Sequence, residues 1–165
     1  MRPGCDGLWR VWPPLSGRSW PEMDRKDGTA ALPESVLGIG VDIIRTERFR
    51  RIAQEAPGGV AARLYTADEL AECRADGCEY LASRFAAKEA VMKSLGHGMG
   101  DIPFTDIEIR RLDGGAPAVS LSGAASRLAC EAQVARVLVS VSHDRDYVCA
   151  FAVALGRVRD GGTLC

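Results

Sequence analysis

The sequence predicts an α+β fold in which an antiparallel sheet carries helices packed on one face. Three observations support this prediction. "LGIGVDII" alternates apolar residues with Gly38, Gly40 and Asp42, as a strand does. "RFAAKEAVMKSLG", residues 84–96, is typical of a helix that ends at glycine. The C-terminal half contains two pairs of strand-like segments, each pair joined by a short turn.

Composition predicts a single globular domain. The chain has 165 residues, of which 47% are hydrophobic and 26% are charged, and both values are ordinary for one domain. The net charge of -1 provides no general attraction to nucleic acid or to an anionic membrane. No apolar run is long enough to span a membrane. A charged partner must therefore be recognised by a local patch.

The cysteines indicate a reducing compartment. Only Cys73 and Cys78 are close in sequence, and no histidine or further cysteine lies near enough to complete a zinc pattern. Six scattered cysteines in a chain of this length favour free thiols, and we therefore expect a cytoplasmic protein.

Residues 1–35 differ from the rest of the chain. They contain all three tryptophans and five of the eight prolines, and they have no helical or strand period. We expect a disordered N-terminal extension, with Met23 as an alternative start, followed by a domain over residues 36–158. Residues 159–165 are expected to form a flexible tail. The alternative for the extension is a partner-docking segment that uses its tryptophans.

The N-terminal half is predicted to consist of one strand followed by three helices. On the first strand, two glycines ahead of an acid indicate a face that another backbone or a ligand approaches closely. "RTERFRRIAQEA" is expected to form a helix with a basic surface. "TADELAECRA" is expected to form another, with Thr66 as N-cap and Glu69 completing a capping box. The next helix runs from about Tyr80 to Leu95 and ends at "GHGMG".

The C-terminal half is predicted to consist of two hairpins and one helix. "FTDIEIRRL" alternates Ile107 and Ile109 with polar residues, "DGGAP" provides a turn, and "AVSLS" returns as the paired strand. "GAASRLACEA" is a short helix. "VARVLVSVSH" and "DYVCAFAVAL" form the second hairpin around "HDRD".

Glu89 lies at the centre of the long helix, with Lys93 one turn later. A surface Glu89–Lys93 pair would contribute only about 0.2–0.5 kcal/mol. Lys88 would also stack over Arg84, which is unfavourable unless an anion lies nearby. Three basic residues beside one acid would suit a polyanion and a metal ion along this helix. The helix by itself leaves both interpretations open.

Asp42 and His143 are the other candidates. Asp42 is flanked by apolar residues and is expected near the interior, where a cation can offset its charge. The alternative is that Asp42 caps the following helix. Two carboxylates, together with water and substrate phosphates, are the usual means by which proteins hold Mg²⁺. His143 ends the Val137, Val139 and Val141 face, where it is either structural or oriented towards a phosphate.

A cluster of arginines follows Asp42 directly. It consists of Arg45, Arg48, Arg50 and Arg51, and it surrounds a single acid, Glu47. The cluster is either a solvated helix face or a docking patch for an acidic partner.

Three segments together resemble a known family. "GIGVDIIRTERF", "RFAAKEAVMKSLG" and "VSVSHDRDYVCAFAV" are similar, in sequence and spacing, to the signatures of holo-[acyl-carrier-protein] synthases, the short class of 4'-phosphopantetheinyl transferases. The resemblance extends from about Leu37 to Arg157. It implies the 4'-phosphopantetheinyl transferase fold. It also implies transfer of the 4'-phosphopantetheine of coenzyme A to a serine of apo acyl carrier protein, with release of adenosine 3',5'-bisphosphate, in fatty acid or polyketide synthesis.

The resemblance also implies roles for individual residues. Asp42 and Glu89 would hold Mg²⁺. Lys88 and Lys93 would lie near the pyrophosphate as catalytic residues alongside Glu89, while Arg84 and His143 would line the nucleotide pocket. Either Glu89, through a metal-linked water, or Lys88 would accept the proton of the carrier serine.

Partner surfaces are implied in the same way. Because carrier proteins are acidic, the patch formed by Arg45, Arg48 and Arg51 is the expected dock, with Arg48 as its best match to the family. Members of the short class assemble as homotrimers with each active site between neighbouring chains, which suits a chain too short to enclose coenzyme A alone. His97, in a loop where the family favours small residues, is a departure.

Two other functions are considered. A carrier-binding module without catalysis would not need Asp42, Glu89 and Lys93 together. A sugar-kinase-like ATPase could use "GIGVD" as its phosphate strand, but it would need a second glycine-rich loop and a much longer chain.

Overall fold

The structure is a computed structural model that describes residues 34–54, 59–73, 77–112 and 115–157. Almost all of the predicted N-terminal extension, and the whole of the predicted tail, lie outside these residues. The predictions for both segments therefore stay predictions.

The described residues form five strands and five α-helices, in the α+β arrangement predicted from the sequence. The strands are β1 (Glu34–Arg45), β2 (Ile107–Arg111), β3 (Pro117–Leu121), β4 (Val134–Asp144) and β5 (Tyr147–Arg157). The helices are α1 (Arg50–Gln54), α2 (Ala61–Leu64), α3 (Ala67–Glu72), α4 (Cys78–Ser94) and α5 (Gly123–Glu131). Short 3-10 turns cover Thr46–Phe49 and Phe104–Asp106.

The strands divide into two antiparallel sheets. The larger sheet has the order β1-β5-β4, and the smaller is the β2–β3 hairpin. All ladders are antiparallel, as predicted. Within the described residues the hairpin shares no ladder with the larger sheet, so side-chain contacts must set its position.

β1 packs directly against the backbone of α4. A Cβ atom added at Gly38 would lie 2.1 Å from the carbonyl oxygen of Ser94, and one at Gly40 would lie 2.0 Å from that of Ala90. The predicted close approach on the glycine face is therefore confirmed, and the approaching element is the long helix. Asp42 follows on the same face of the strand and is thereby directed towards α4.

The inner face of the larger sheet is made of small residues. Val148, Ala150, Ala152 and Ala154 of β5 are all fully buried. This lets α4 sit close to the sheet, and α4 also contacts β2 of the hairpin. Because α4 is covered on several sides, even its charged residues Arg84, Lys88 and Glu89 are buried.

The outer face of the larger sheet carries exposed apolar side chains, and no described element packs on it. Ile39, Val41 and Ile43 of β1 are between 55% and 66% exposed, and Leu138 and Phe151 of the neighbouring strands are also exposed. The apolar half of the β1 alternation therefore does not belong to the core of the single chain. A contiguous exposed apolar face of this kind marks an interaction surface.

Of the predictions about individual elements, the capping box is confirmed and one helix boundary is wrong. The capping box is present: the hydroxyl of Thr66 accepts from the backbone of Glu69, and the Glu69 carboxylate accepts from the backbone of Thr66. The continuous helix over "RTERFRRIAQEA" is wrong at its start, because Arg45 continues β1 and a 3-10 turn precedes α1. That turn buries Phe49 against Phe85 of α4, with ring centroids 5.3 Å apart. None of the helices in the described ranges has the length and apolarity needed to cross a bilayer.

Candidate active site

Two carboxylates and a lysine meet where β1 crosses α4, and we call Asp42, Glu89 and Lys93 the carboxylate site. Lys93 Nζ donates to Asp42 Oδ1 at 2.8 Å and to the carbonyl of Val41 at 3.0 Å. Glu89 lies one turn before Lys93, on the same side of the helix. The predicted surface pair between Glu89 and Lys93 is replaced by a contact between Lys93 and Asp42.

Both carboxylates of this site keep an unused oxygen. Asp42 Oδ2 and Glu89 Oε1 are buried and have no hydrogen-bond partner. A buried carboxylate oxygen without a partner is costly. Burial, followed by the nearby Asp42 carboxylate, raises the pKa of Glu89, whereas Lys93 acts in the opposite direction.

These two oxygens fit a hard divalent cation. Mg²⁺ takes oxygen ligands and is commonly held by one or two carboxylates plus water and substrate phosphates. In the part of the chain that the structure describes, no group of three or more His, Cys, Asp or Glu side chains is arranged to hold a metal. An ion held by Asp42 and Glu89 would therefore need further ligands besides these two carboxylates.

Lys88 is not part of the carboxylate site. Its ammonium is 0% exposed and lies 2.6 Å from Glu69 Oε2. It also donates to the carbonyls of Leu64 at 2.8 Å and Phe104 at 3.0 Å. Burial lowers the pKa of Lys88, and the Glu69 carboxylate counteracts this.

The roles expected for Lys88 at the pyrophosphate and as proton acceptor therefore need correction. Lys88 and Glu89 are adjacent in sequence, so their side chains leave the helix about 100° apart. The ammonium consequently contacts Glu69 of α3 and the carbonyls near α2 and β2, rather than β1. Three polar partners already occupy its three N–H groups.

A cleft opens beside the N-terminal half of α4, and we call it the arginine cleft. Its volume is about 200 Å³. Its lining residues come from three elements. They include Arg84 of α4, Arg111 and Pro117 of the β2–β3 hairpin, and His143 at the end of β4. The structure thus brings together the two residues expected to line a nucleotide pocket. Arg84 and Glu89 are five residues apart, so they are separated by roughly 7.5 Å along the helix axis and about 140° around it.

Arg84 provides unused hydrogen-bond donors in the cleft. It is only 5% exposed, yet its Nε and Nη2 atoms have no hydrogen-bond partner. Its guanidinium stacks over the ring of Tyr80 at 4.4 Å, and the nearest carboxylate, that of Glu72, is 3.8 Å away. Buried guanidinium donors without partners are suited to an anion, because two parallel N–H groups match a phosphate.

His143 faces α4 across the cleft. Its Nδ1 lies 3.4 Å from Glu79 Oε1, and both side chains are more than half exposed. The histidine is therefore accessible to a ligand, and Glu79 is placed to orient its ring.

Further cleft residues were not singled out from the sequence. Glu79, Tyr80 and Ser83 precede Arg84 on α4, and Arg111 comes from the end of β2. Helical spacing could have identified Tyr80, which lies one turn before Arg84. No sequence signal identified Arg111, because the hairpin reaches the cleft only through tertiary packing.

The arginine cluster after β1 is exposed. Arg50 forms a short ion pair with Glu47, with Nη2 and Oε2 2.6 Å apart. Arg45 donates from Nε to the hydroxyl of Tyr147 at 2.8 Å. Arg48 and Arg51 have no ion pair or hydrogen bond with a side chain of the described residues, so their charges are available to a partner.

Comparison with known proteins identifies the family. Residues 38–152 match the model of the 4'-phosphopantetheinyl transferase superfamily. The holo-[acyl-carrier-protein] synthase of Desulforudis audaxviator is 43% identical over 123 residues, which are 73% of this chain and 94% of that protein.

Solved structures similar to this chain belong to the same family. The holo-[acyl-carrier-protein] synthase of Neisseria meningitidis superposes with a TM-score of 0.65 at 36% identity, over 73% of this chain and 98% of that one. The Helicobacter pylori enzyme, solved in complex with coenzyme A, gives a TM-score of 0.62 at 28% identity, over 70% and 98%. The chain therefore belongs to the holo-[acyl-carrier-protein] synthases of the 4'-phosphopantetheinyl transferase superfamily, a family of transferases.

Proposed function

We propose that this chain transfers the 4'-phosphopantetheine of coenzyme A to a serine of apo acyl carrier protein and releases adenosine 3',5'-bisphosphate. One observation carries the proposal: Asp42 and Glu89 keep unused carboxylate oxygens, and the same helix presents unused donors of Arg84 to a cleft. Coenzyme A has a pyrophosphate and a 3'-phosphorylated nucleotide, so it needs both a cation and an anion-binding pocket.

Asp42 and Glu89 are proposed to hold Mg²⁺ through the oxygens that lack partners. When bound, the ion would neutralise charge on the pyrophosphate oxygens of the leaving group. Lys93 is the catalytic lysine at this site. Its side chain is 43% exposed, so the ammonium that contacts Asp42 can also reach a phosphate oxygen.

The nucleotide is proposed to bind in the arginine cleft. Arg84 would donate to a phosphate with the guanidinium atoms that lack partners, and His143 would contact the nucleotide from the opposite wall. Binding energy from this remote part of coenzyme A would serve to orient the pyrophosphate at the carboxylate site.

Glu89, through a metal-linked water, is the proposed acceptor for the serine proton. Lys88 was the other candidate, and its three N–H groups are already bonded to Glu69 and two carbonyls.

The carrier protein is proposed to dock on Arg45, Arg48 and Arg51. The charges of Arg48 and Arg51 are available, and electrostatic complementarity speeds association with an acidic protein. Arg48→Glu should therefore raise the KM for the carrier more than the KM for coenzyme A. Equal increases in both values would contradict the docking role.

The chain is further proposed to act as a cytoplasmic homotrimer in fatty acid or polyketide synthesis. The exposed apolar face formed by Ile39, Val41 and Ile43 supports self-association, because large apolar patches are rare on monomers. Sedimentation measurements on the purified chain test this, and a monomer at micromolar concentration would contradict it.

The transfer itself is tested by mass spectrometry of the carrier. The purified chain is incubated with coenzyme A, Mg²⁺ and an apo acyl carrier protein, and the same mixture with a chelator serves as control. The carrier is expected to gain the mass of one phosphopantetheine only when Mg²⁺ is present. An unchanged carrier mass would contradict the transferase proposal, and gain of mass in chelator would contradict the metal requirement.

A further inference from the structure

The buried pair formed by Lys88 and Glu69 has no role in the proposed chemistry, although it is the most enclosed ion pair of the described residues. Its two side chains are 0% and 2% exposed, and Nζ lies 2.6 Å from Oε2. Residues of this kind are rarely buried unless they are paired. The segments that the pair connects therefore indicate what it does.

Glu69 uses both of its oxygens. Oε2 accepts from the backbone N–H of Thr66 at 2.9 Å as well as from Lys88, and Oε1 accepts from the backbone N–H of Ile109 at 2.9 Å. Glu69 thereby joins the start of α3 to β2 of the hairpin.

Lys88 joins the same hairpin to α4. Its ammonium donates to the carbonyl of Phe104, in the 3-10 turn that leads into β2, and to the carbonyl of Leu64 at the end of α2. The hairpin is thus connected to α4 twice: directly from Phe104, and from Ile109 through Glu69.

These connections lie beside the arginine cleft. Lys88 is one turn after Arg84, which belongs to the α4 wall, and Ile109 is two residues before Arg111, which belongs to the hairpin wall. The hairpin has no ladder to the larger sheet within the described residues. Apolar packing of Phe85 on Phe104, with centroids 4.8 Å apart, adds contact here, but apolar contact is non-directional.

We propose that the Lys88–Glu69 pair is a positioning device that sets the distance between the α4 wall and the hairpin wall of the arginine cleft, and so controls the binding of coenzyme A. Lys88 acts here without touching the substrate. The inference rests on the proposed assignment of the cleft to the nucleotide of coenzyme A.

The test compares variants by their KM for coenzyme A and their kcat, with carrier and Mg²⁺ saturating. Lys88→Met removes the ammonium. Lys88→Met/Glu69→Gln removes the ion pair without leaving a buried charge unpaired, and the amide can still accept from the backbone of Thr66 or Ile109. Arg127→Met, on the exposed side of α5, is the matched control. Circular dichroism establishes that each variant is folded.

Both Lys88 variants are expected to raise the KM for coenzyme A about tenfold, because displacement of Arg84 would weaken its charge-assisted hydrogen bond to the nucleotide phosphate. The Mg²⁺ concentration for half-maximal activity and the KM for the carrier should change little. A purely structural role would reduce the folded fraction, and it would lower kcat without changing KM. A kcat loss at unchanged KM would therefore overturn the positioning role.

Arg84→Met separates failure of this inference from failure of the cleft assignment. If Arg84→Met raises the KM for coenzyme A and the Lys88 variants do not, the positioning role is wrong and the cleft assignment stands. If none of these variants changes the KM, the cleft does not bind the nucleotide, and both proposals fail.

Discussion

Two acid–lysine pairs on opposite sides of α4 have the same chemistry and different surroundings. Lys93 contacts Asp42 at 2.8 Å and Lys88 contacts Glu69 at 2.6 Å. Every oxygen of Glu69 has a partner, whereas Asp42, like neighbouring Glu89, retains one without. The difference teaches that similar distances can hide different hydrogen bonding, since one pair is fully satisfied and the other keeps oxygens for the ligand proposed above.

The largest effect is expected from substitutions that remove a carboxylate from the carboxylate site. Glu89→Gln and Asp42→Asn each remove a carboxylate charge from the proposed metal site, and Mg²⁺-dependent transfer should fall to background. Stability should be largely retained, since Glu89 Oε1 makes no hydrogen bond that could be lost and the amide oxygen of Asp42→Asn can still accept from Lys93. Carrier mass spectrometry measures the transfer, and thermal unfolding provides the control. Transfer by Glu89→Gln at more than a tenth of the normal rate would contradict the assignment.

The next largest effect is a difference in the free energy of unfolding between variants of the two lysines. Lys88→Met leaves the Glu69 carboxylate buried without its counter-charge, which should lower the free energy of unfolding by about 3–5 kcal/mol. Lys93→Met breaks a pair whose lysine is 43% exposed, and it should cost only about 0–1 kcal/mol. Urea unfolding of both variants measures the difference. Similar losses would show that the two pairs do not differ as described.

A smaller effect tests the packing that directs Asp42 towards α4. Gly40→Ala places a Cβ about where the carbonyl oxygen of Ala90 lies, and overpacking of this kind costs about 1–3 kcal/mol. Gly98→Ala is the matched control, because an added Cβ there meets nothing within 4 Å. Thermal unfolding and the Mg²⁺ dependence of transfer should change for Gly40→Ala alone. Equal behaviour of the two variants would contradict direct packing of β1 on the α4 backbone.

The smallest effect is the pH dependence of stabilisation by Mg²⁺. Because its pKa in the folded chain is raised, Glu89 contributes stability that is present below its unfolded pKa and is lost as pH rises through the folded value. Mg²⁺ binds the ionised form, so its stabilising effect should grow over the same rise in pH. Melting temperatures with and without Mg²⁺ between pH 4 and 8 measure this. Glu89→Gln should abolish the pH-dependent part, and its persistence in that variant would contradict the role of Glu89.

Much of the fold was predictable from local pattern. The alternation of β1, the capping box at Thr66 and Glu69, and the end of α4 near Gly96 depend on neighbours in sequence, and the structure contains all three. The 3-10 turn before α1 was not predictable, because it depends on burial of Phe49 against distant Phe85. The division of the strands into two sheets was also not predicted, because strand pairing depends on residues that are far apart in the sequence.

The sequence by itself determined the family, through three segments of matching spacing, and the placement of Asp42 and Glu89 as candidate ligands. Only the tertiary structure decided that Lys88 contacts Glu69 of α3 instead of the pyrophosphate site, and that Arg111 joins Arg84 and His143 at one cleft. The physical reason is geometric. Adjacent residues of a helix point about 100° apart, so their surroundings are set by the elements that pack on each side and not by their order in the chain.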